Sequence, residues 1–208
     1  MHRYFEGRQD DGRRPLYTGA AFERFAGGGD HPDVANVFTA DDLVAVSMLS
    51  VQVPARAALG ILLDDADRLS AGLADVPADV DLADADEALV ADGSAADWLW
   101  WQLYRYPGVG FVMAGKLLAR KRPRLIPVLD GVVRGVLGHP GKGYWRDLRG
   151  ELRADDGRLV EQLNGIRRTA GLGESISTIR IFDVLVWMTG KGALWASRQG
   201  QRNPELFR

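Results

Sequence analysis

The chain has 208 residues, 46% of them hydrophobic and 26% charged, enough for one well-buried domain and too balanced for a disordered protein. There is no cysteine, which excludes disulfides, thiolate zinc and iron–sulfur clusters, and no apolar run reaches the roughly 18 residues a membrane span needs. The net charge of −2 hides an asymmetry: the first hundred residues hold 7 basic and 19 acidic side chains, the remainder 19 and 9. Such a split fits two situations, an anionic partner for the basic half or two halves that neutralise each other when packed. The N-terminus lacks the apolar core of a signal peptide, so a cytoplasmic protein is expected.

Residues 1–38 carry scattered charge and little periodicity, and read as an irregular N-terminal arm with one short helical piece. Within them Asp30, His31 and Asp33 stand on a glycine loop. That spacing is a weak metal signal without distant ligands, so a solvated loop is expected and no metal is assigned. A helical domain is expected over 39–190. Thr39 with Asp42 three positions later forms a capping arrangement for an apolar helix carrying Leu43, Val44, Val46 and Met48. Pro54 suits the first turn of a second helix running to Leu73, with Leu59, Ile61, Leu62, Leu69 and Leu73 as its apolar positions. A connector over 76–83 and a short helix near Ala85 to Val90 follow.

Ser94 can cap the aromatic-rich helix "AADWLWWQLYRY", whose tryptophans are read first as packing groups. Proline and glycine in "PGVG" end that helix, and "FVMAGKLLARK" then places apolar residues at 111, 114, 117 and 118, a helical stripe. The product is a helical hairpin over about 95–121. Gly108, Val109 and Gly110 leave backbone N–H groups uncovered beside a helix N-terminus, a ready anion site. Helices are expected next over 144–152, 156–170 and 175–188, with Gly141-Lys142-Gly143 as a turn. Asp183 within the apolar run "IRIFDVLVWM" needs a partner, Arg180 or Arg134, because an unpaired buried charge is costly. Residues 191–208 read as a polar C-terminal tail. No alternating strand pattern, repeat or low-complexity linker is present, so the fold class is all-α.

The stretch "YPGVGFVMAGKLLARKRPRLIPVLDG" resembles the helix-hairpin-helix DNA glycosylase superfamily over residues 103–137. The glycine turn, the small residue Ala114, Pro127 and an aspartate twenty residues after Gly110 fall in its register. The resemblance implies two helical lobes with a cleft, and a turn that grips double-stranded DNA, with a monovalent cation as its one possible cofactor. It also implies that Asp130 is the catalytic carboxylate, stabilising positive charge on the sugar as a damaged or mismatched base departs. Lys116, Arg120, Lys121, Arg122 and Arg124, with Arg105, are the candidate contacts to the DNA backbone. Trp98, Trp101 and Tyr104 are candidates to line a base pocket, with Trp100 beside them.

The superfamily's bifunctional members carry a lysine where this chain has Val112, so the implied activity is monofunctional N-glycosidic hydrolysis. Gly131 and Val132 also depart from the usual Asp-Thr-His continuation. A catalytically silent DNA- or protein-binding module is the alternative, with Asp130 then a plain helix N-cap. The segments "YTGAAFE", "FTADDLVAVSMLSV" and "IFDVLVWM" are also similar to uncharacterised actinobacterial proteins, a likeness that carries no activity.

Overall fold

The structure is a computed structural model that describes residues 1–202, with side chains described through Gly192. It is all-α: among the described residues the only extended pairing is an isolated bridge between Arg8 and Pro15. In chain order the helices are α1 (His2–Phe5), α2 (Ala40–Ser47), α3 (Ala55–Leu59), α4 (Ala66–Ala74) and α5 (Ala95–Tyr104). These are followed by α6 (Phe111–Lys121), α7 (Gly131–Leu137), α8 (Tyr144–Arg153), α9 (Arg158–Thr169) and α10 (Thr178–Arg202).

Local chemistry sets most helix starts. Thr39 and Asp42 close a full capping box on α2, the side chain of each bonded to the backbone N–H of the other. Ser94 accepts from Asp97 N at 3.1 Å to open α5, while the Asp97 carboxylate takes Gly93 N. The single helix expected from Pro54 to Leu73 is broken. It runs as α3, a π-helical stretch over Gly60–Asp64, and α4. The break turns Leu59 and Leu63 to solvent while Ile61, Leu69 and Leu73 stay inside. Asp65, at the break, is tied to Tyr106 Oη at 2.6 Å and to Arg68.

Helix α5 packs against α6 and α4, α6 receives α2, and α10 carries α7 and α9. The α7–α10 crossing is close because residue 190 is glycine: a Cβ there would fall 2.5 Å from Val132 and 2.7 Å from Val136. The buried apolar residues form one cluster that runs from Tyr4 and Phe5 through the α5–α6 pair to Val184. The N-terminal segment holds α1 and two 3-10 turns, where one short helical piece was expected, and its Tyr4, Phe5, Phe22 and Phe38 belong to that core. The tail expected from residue 191 continues α10 through Arg202, and 203–208 lie outside the described residues.

Packing also decides the charge asymmetry. Asp42 meets Arg120 and Lys121, Asp81 meets Arg124, Glu87 meets Arg149, and Glu23 meets Arg180. Four acidic side chains of the first half are thus paired with five basic ones of the second. No helix among the described residues is long and apolar enough to cross a membrane.

Candidate functional site

The expected hairpin is present. Helix α5 ends at Tyr104, Val109 N bonds Tyr106 O at 2.9 Å, and α6 begins at Phe111. Gly108 sits at φ +83°, in the left-handed region, with Pro54 so near that a Cβ would lie 2.7 Å from its Cγ. Val109 is buried and pins the turn to the core, while Gly108 and Gly110 are exposed. Gly110 is the N-cap of α6 and brings no capping side chain, so the first-turn amides of this helix face outward without one.

Beside the turn lies a cleft of about 620 Å³ between the hairpin, the approach to α7 and the loop entering α8. Its hairpin wall is aromatic: Trp100 stacks on Tyr104 at 5.0 Å and 11°, and Trp100 meets Phe111 edge-on at 5.1 Å. Trp101 and Tyr104 are 50% and 41% exposed, unusual for rings of that size and a sign of a surface shaped to be covered. Trp145 and Lys142 contribute from the opposite side, Leu129 and Gly115 from the floor, and Asp92 and Asp97 from one end. The nearest atom to a Cβ at Gly115 would be Trp100 Nε1 at 3.9 Å, so the glycine leaves room in the cleft.

The loop opposite is held firmly. Gly141 and Gly143 flank Lys142 at φ +102° and +75°, so the expected turn forms and lifts Lys142 into solvent. His139 Nδ1 accepts from Gly141 N at 2.9 Å, which places its proton on Nε2, donated to Asp147 at 3.0 Å. Arg134 sits over Phe111, its guanidinium carbon 5.7 Å from the ring centre, and donates to Pro140 O. Its Nε is buried and has no partner among the described residues.

Four of the expected DNA-backbone contacts are corrected. Lys116, Arg120, Lys121 and Arg122 are at most 3% exposed. Lys116 donates to Leu49 O at 2.7 Å, and Lys121 to Asp42 at 2.9 Å. Arg120 reaches Asp42 at 3.0 Å and the carbonyls of Phe22, Glu23 and Phe25. Arg122 holds the carbonyls of Ala35, Leu73 and Val76 and the side chain of Asn36, and burial pulls it down to about 10, still charged at neutral pH. Lys116, Arg120 and Arg122 satisfy carbonyls of loops and helix ends, and Lys121 pairs with Asp42, which is why all four are inside. Arg124 is partly exposed but paired with Asp81 at 3.0 Å.

Trp98 is also corrected as a pocket residue. It packs on Gly72 of α4 with Arg68 above its ring, away from the cleft that Trp101 and Tyr104 line. Two aromatic cleft residues lie outside the expected set, Phe111 and Trp145, and Arg134 stands over the Phe111 ring. Phe111 reads from the sequence as one position of an apolar helical stripe, and Trp145 lies beyond the hairpin. Among the described residues no group of histidines and carboxylates forms a metal site, and His31 meets only Asp33, at 3.6 Å.

Asp130 opens α7 as its N-cap. Its Oδ1 accepts from Val132 N at 2.9 Å and Val133 N at 3.0 Å, and among the described residues Oδ2 has no hydrogen bond. The carboxylate is half-buried and acts on the Lys116 ammonium, while its neighbours Leu129 and Pro127, not Asp130 itself, line the cleft. Asp130→Ala should cost about 0.5–2 kcal/mol from cap loss, whereas Asp130→Asn, an equally good cap, should leave thermal stability unchanged. Melting curves of the two variants check this and establish Asp130→Asn as the variant that changes charge alone.

No curated protein and no solved structure matches the chain. A family model described as a family of unknown function (DUF6308) matches residues 1–190, arm and hairpin together, and the chain belongs to that family.

Proposed function

We propose that this protein binds DNA, seating the phosphodiester backbone on the Gly108–Gly110 turn and an unstacked base in the aromatic cleft. The observation that supports the reading is a junction: Phe111 is both the first residue of the uncapped α6 and a wall of the cleft. A phosphate at the turn would meet open first-turn amides, with Arg134 beside Phe111 and Lys142 on the cleft rim as the nearby cations. The base attached to it would then lie within reach of Trp101 and Tyr104, and ring stacking of this kind contributes about 1–3 kcal/mol per base. In this reading the two helical lobes implied by the superfamily resemblance meet at the cleft.

Fluorescence anisotropy at low salt, with a duplex carrying one unpaired base and its fully paired counterpart, tests the proposal. Trp101→Ala should weaken binding of the unpaired-base duplex by about ten-fold or more and barely affect the paired one. Lys142→Ala should weaken both and lower the salt dependence. Equal affinity for the two duplexes would remove the cleft from the reading, and absence of binding at low salt would end it.

Base excision is the second reading, favoured by the unengaged Oδ2 of Asp130. An ionised carboxylate there could stabilise the sugar's growing positive charge and orient water, without a Schiff base since position 112 is valine. Incubation with damaged duplexes followed by alkali would reveal abasic sites. Base release undiminished in Asp130→Asn would sink the role of that residue.

A further inference from the structure

A second cavity of about 310 Å³ shares no residue with the aromatic cleft. It lies between the 81–84 turn, α9 and the first turn of α10. The size falls at the lower end of the roughly 300–1,000 Å³ typical of small-molecule sites. The floor is apolar, with Leu82, Leu152, Val160 and Ile179, while polar groups of both signs stand around it.

The α9 side supplies donors. Asn164 and Arg167 are three residues apart on one helix face. Thr178 Oγ1 donates to Asn164 Oδ1 at 2.9 Å, which fixes the amide with its NH₂ end unengaged. Arg167 uses one N–H, to Ile176 O at 3.2 Å, and keeps the others.

The turn side supplies acceptors. Among the described residues the Asp81 carboxylate is bound only by Arg124, at 3.0 and 3.2 Å, and Asp84 has no side-chain partner. This turn is held in place by Leu82 N bonding Arg124 O at 2.9 Å and by Arg153 bonding Ala83 O.

The rim carries the carboxylates of Asp81, Asp84 and Glu174 and the guanidinium groups of Arg124 and Arg167, so a plain anion or a plain cation meets like charge. Only a molecule carrying both charges finds a partner at each end. We infer that this cavity binds a small zwitterion of amino-acid size. Its carboxylate lies on Arg167 and Asn164, its ammonium on Asp84 and Asp81, and its methylene chain on the apolar floor.

Thermal melting of the full chain with millimolar L-alanine, γ-aminobutyrate or 6-aminohexanoate tests this, with propionate and propylamine as singly charged controls. At least one amino acid should raise Tm by about 4 °C or more while neither control does. Arg167→Gln and Asp84→Asn should each abolish that rise, and both sites are open enough for the ligand-free variants to fold. The inference is overturned if no amino acid exceeds the controls, or if the rise persists in both variants.

Discussion

Asp42→Ala is expected to lower stability by about 3–5 kcal/mol, the usual cost of removing one partner from a buried ion pair. The carboxylate is fully buried and faces two cations, Arg120 at 3.0 Å and Lys121 at 2.9 Å, both as buried as itself. Without it their charge would rest on the carbonyls of Phe22, Glu23 and Phe25, which reach Arg120 alone. Lys121 would then have no hydrogen-bonding partner among the described residues, and burial, which already holds its ammonium below the ordinary lysine range, would leave that charge stranded. The variant also loses half of the α2 capping box, Thr39 N to Asp42 Oδ2 at 2.9 Å.

For a chain of this length about 2–4 °C of Tm accompanies each kcal/mol, so a fall on the order of 10 °C is expected. Adding Lys121→Met should restore part of it, because one stranded charge is then gone. Melting of the single and double variants checks the pair. A loss below about 1 kcal/mol would mean that the Asp42 carboxylate is not what holds the two cations in place.

The second large effect is a loss of stability with rising pH, centred on Asp183. This side chain is 2% exposed, with Oδ2 accepting from Val128 N at 2.7 Å and Oδ1 without a partner. Burial pushes its carboxyl from 3.8 up to about 8, against the opposing pull of Arg180. The groups that face it are Arg180, Glu23, Asp130 and the buried phenol of Tyr144. Arg180 cannot neutralise it fully, because it is already paired with Glu23 and hydrogen-bonded to Tyr4 and Gly19 O. The expectation that Arg180 or Arg134 would partner Asp183 is thus met only as a nearby charge from Arg180. Arg134 sits over Phe111 instead.

The sign follows from which state holds the proton. Between 3.8 and about 8 the folded chain keeps the Asp183 proton and the unfolded chain has released it. Each unit of rising pH in that window therefore removes up to about 1.4 kcal/mol from the folded state. Glu23, raised by the same burial, acts in the same direction. Asp183→Asn keeps an acceptor for Val128 N and has nothing to titrate, so its stability should exceed that of the wild type by a margin that widens toward alkaline pH. Urea unfolding of both proteins across this range decides the matter. A margin that stays constant would mean that Asp183 is ionised throughout.

What the sequence determined by itself is the set of features held by neighbours in the chain. The Thr39–Asp42 capping box, the Ser94 cap, the Pro-Gly-Val-Gly turn and Asp130 at the start of α7 were all legible, because each depends on bonds spanning two to four residues. The all-α class was legible for the same reason, since helical periodicity is local. The tertiary structure decided where the charge and the rings went. "ARKRPR" reads as a basic surface, yet Arg120, Lys121 and Arg122 are bonded to groups 46 to 98 residues earlier, and their burial exists only once the acidic half folds over α6. Trp98 and Trp101 are three positions apart on one helix, and nothing local tells which of them α4 covers and which the α7–α8 loop leaves open. Long-range packing chose between them, and it moved the site's positive charge from the hairpin to Arg134 and Lys142.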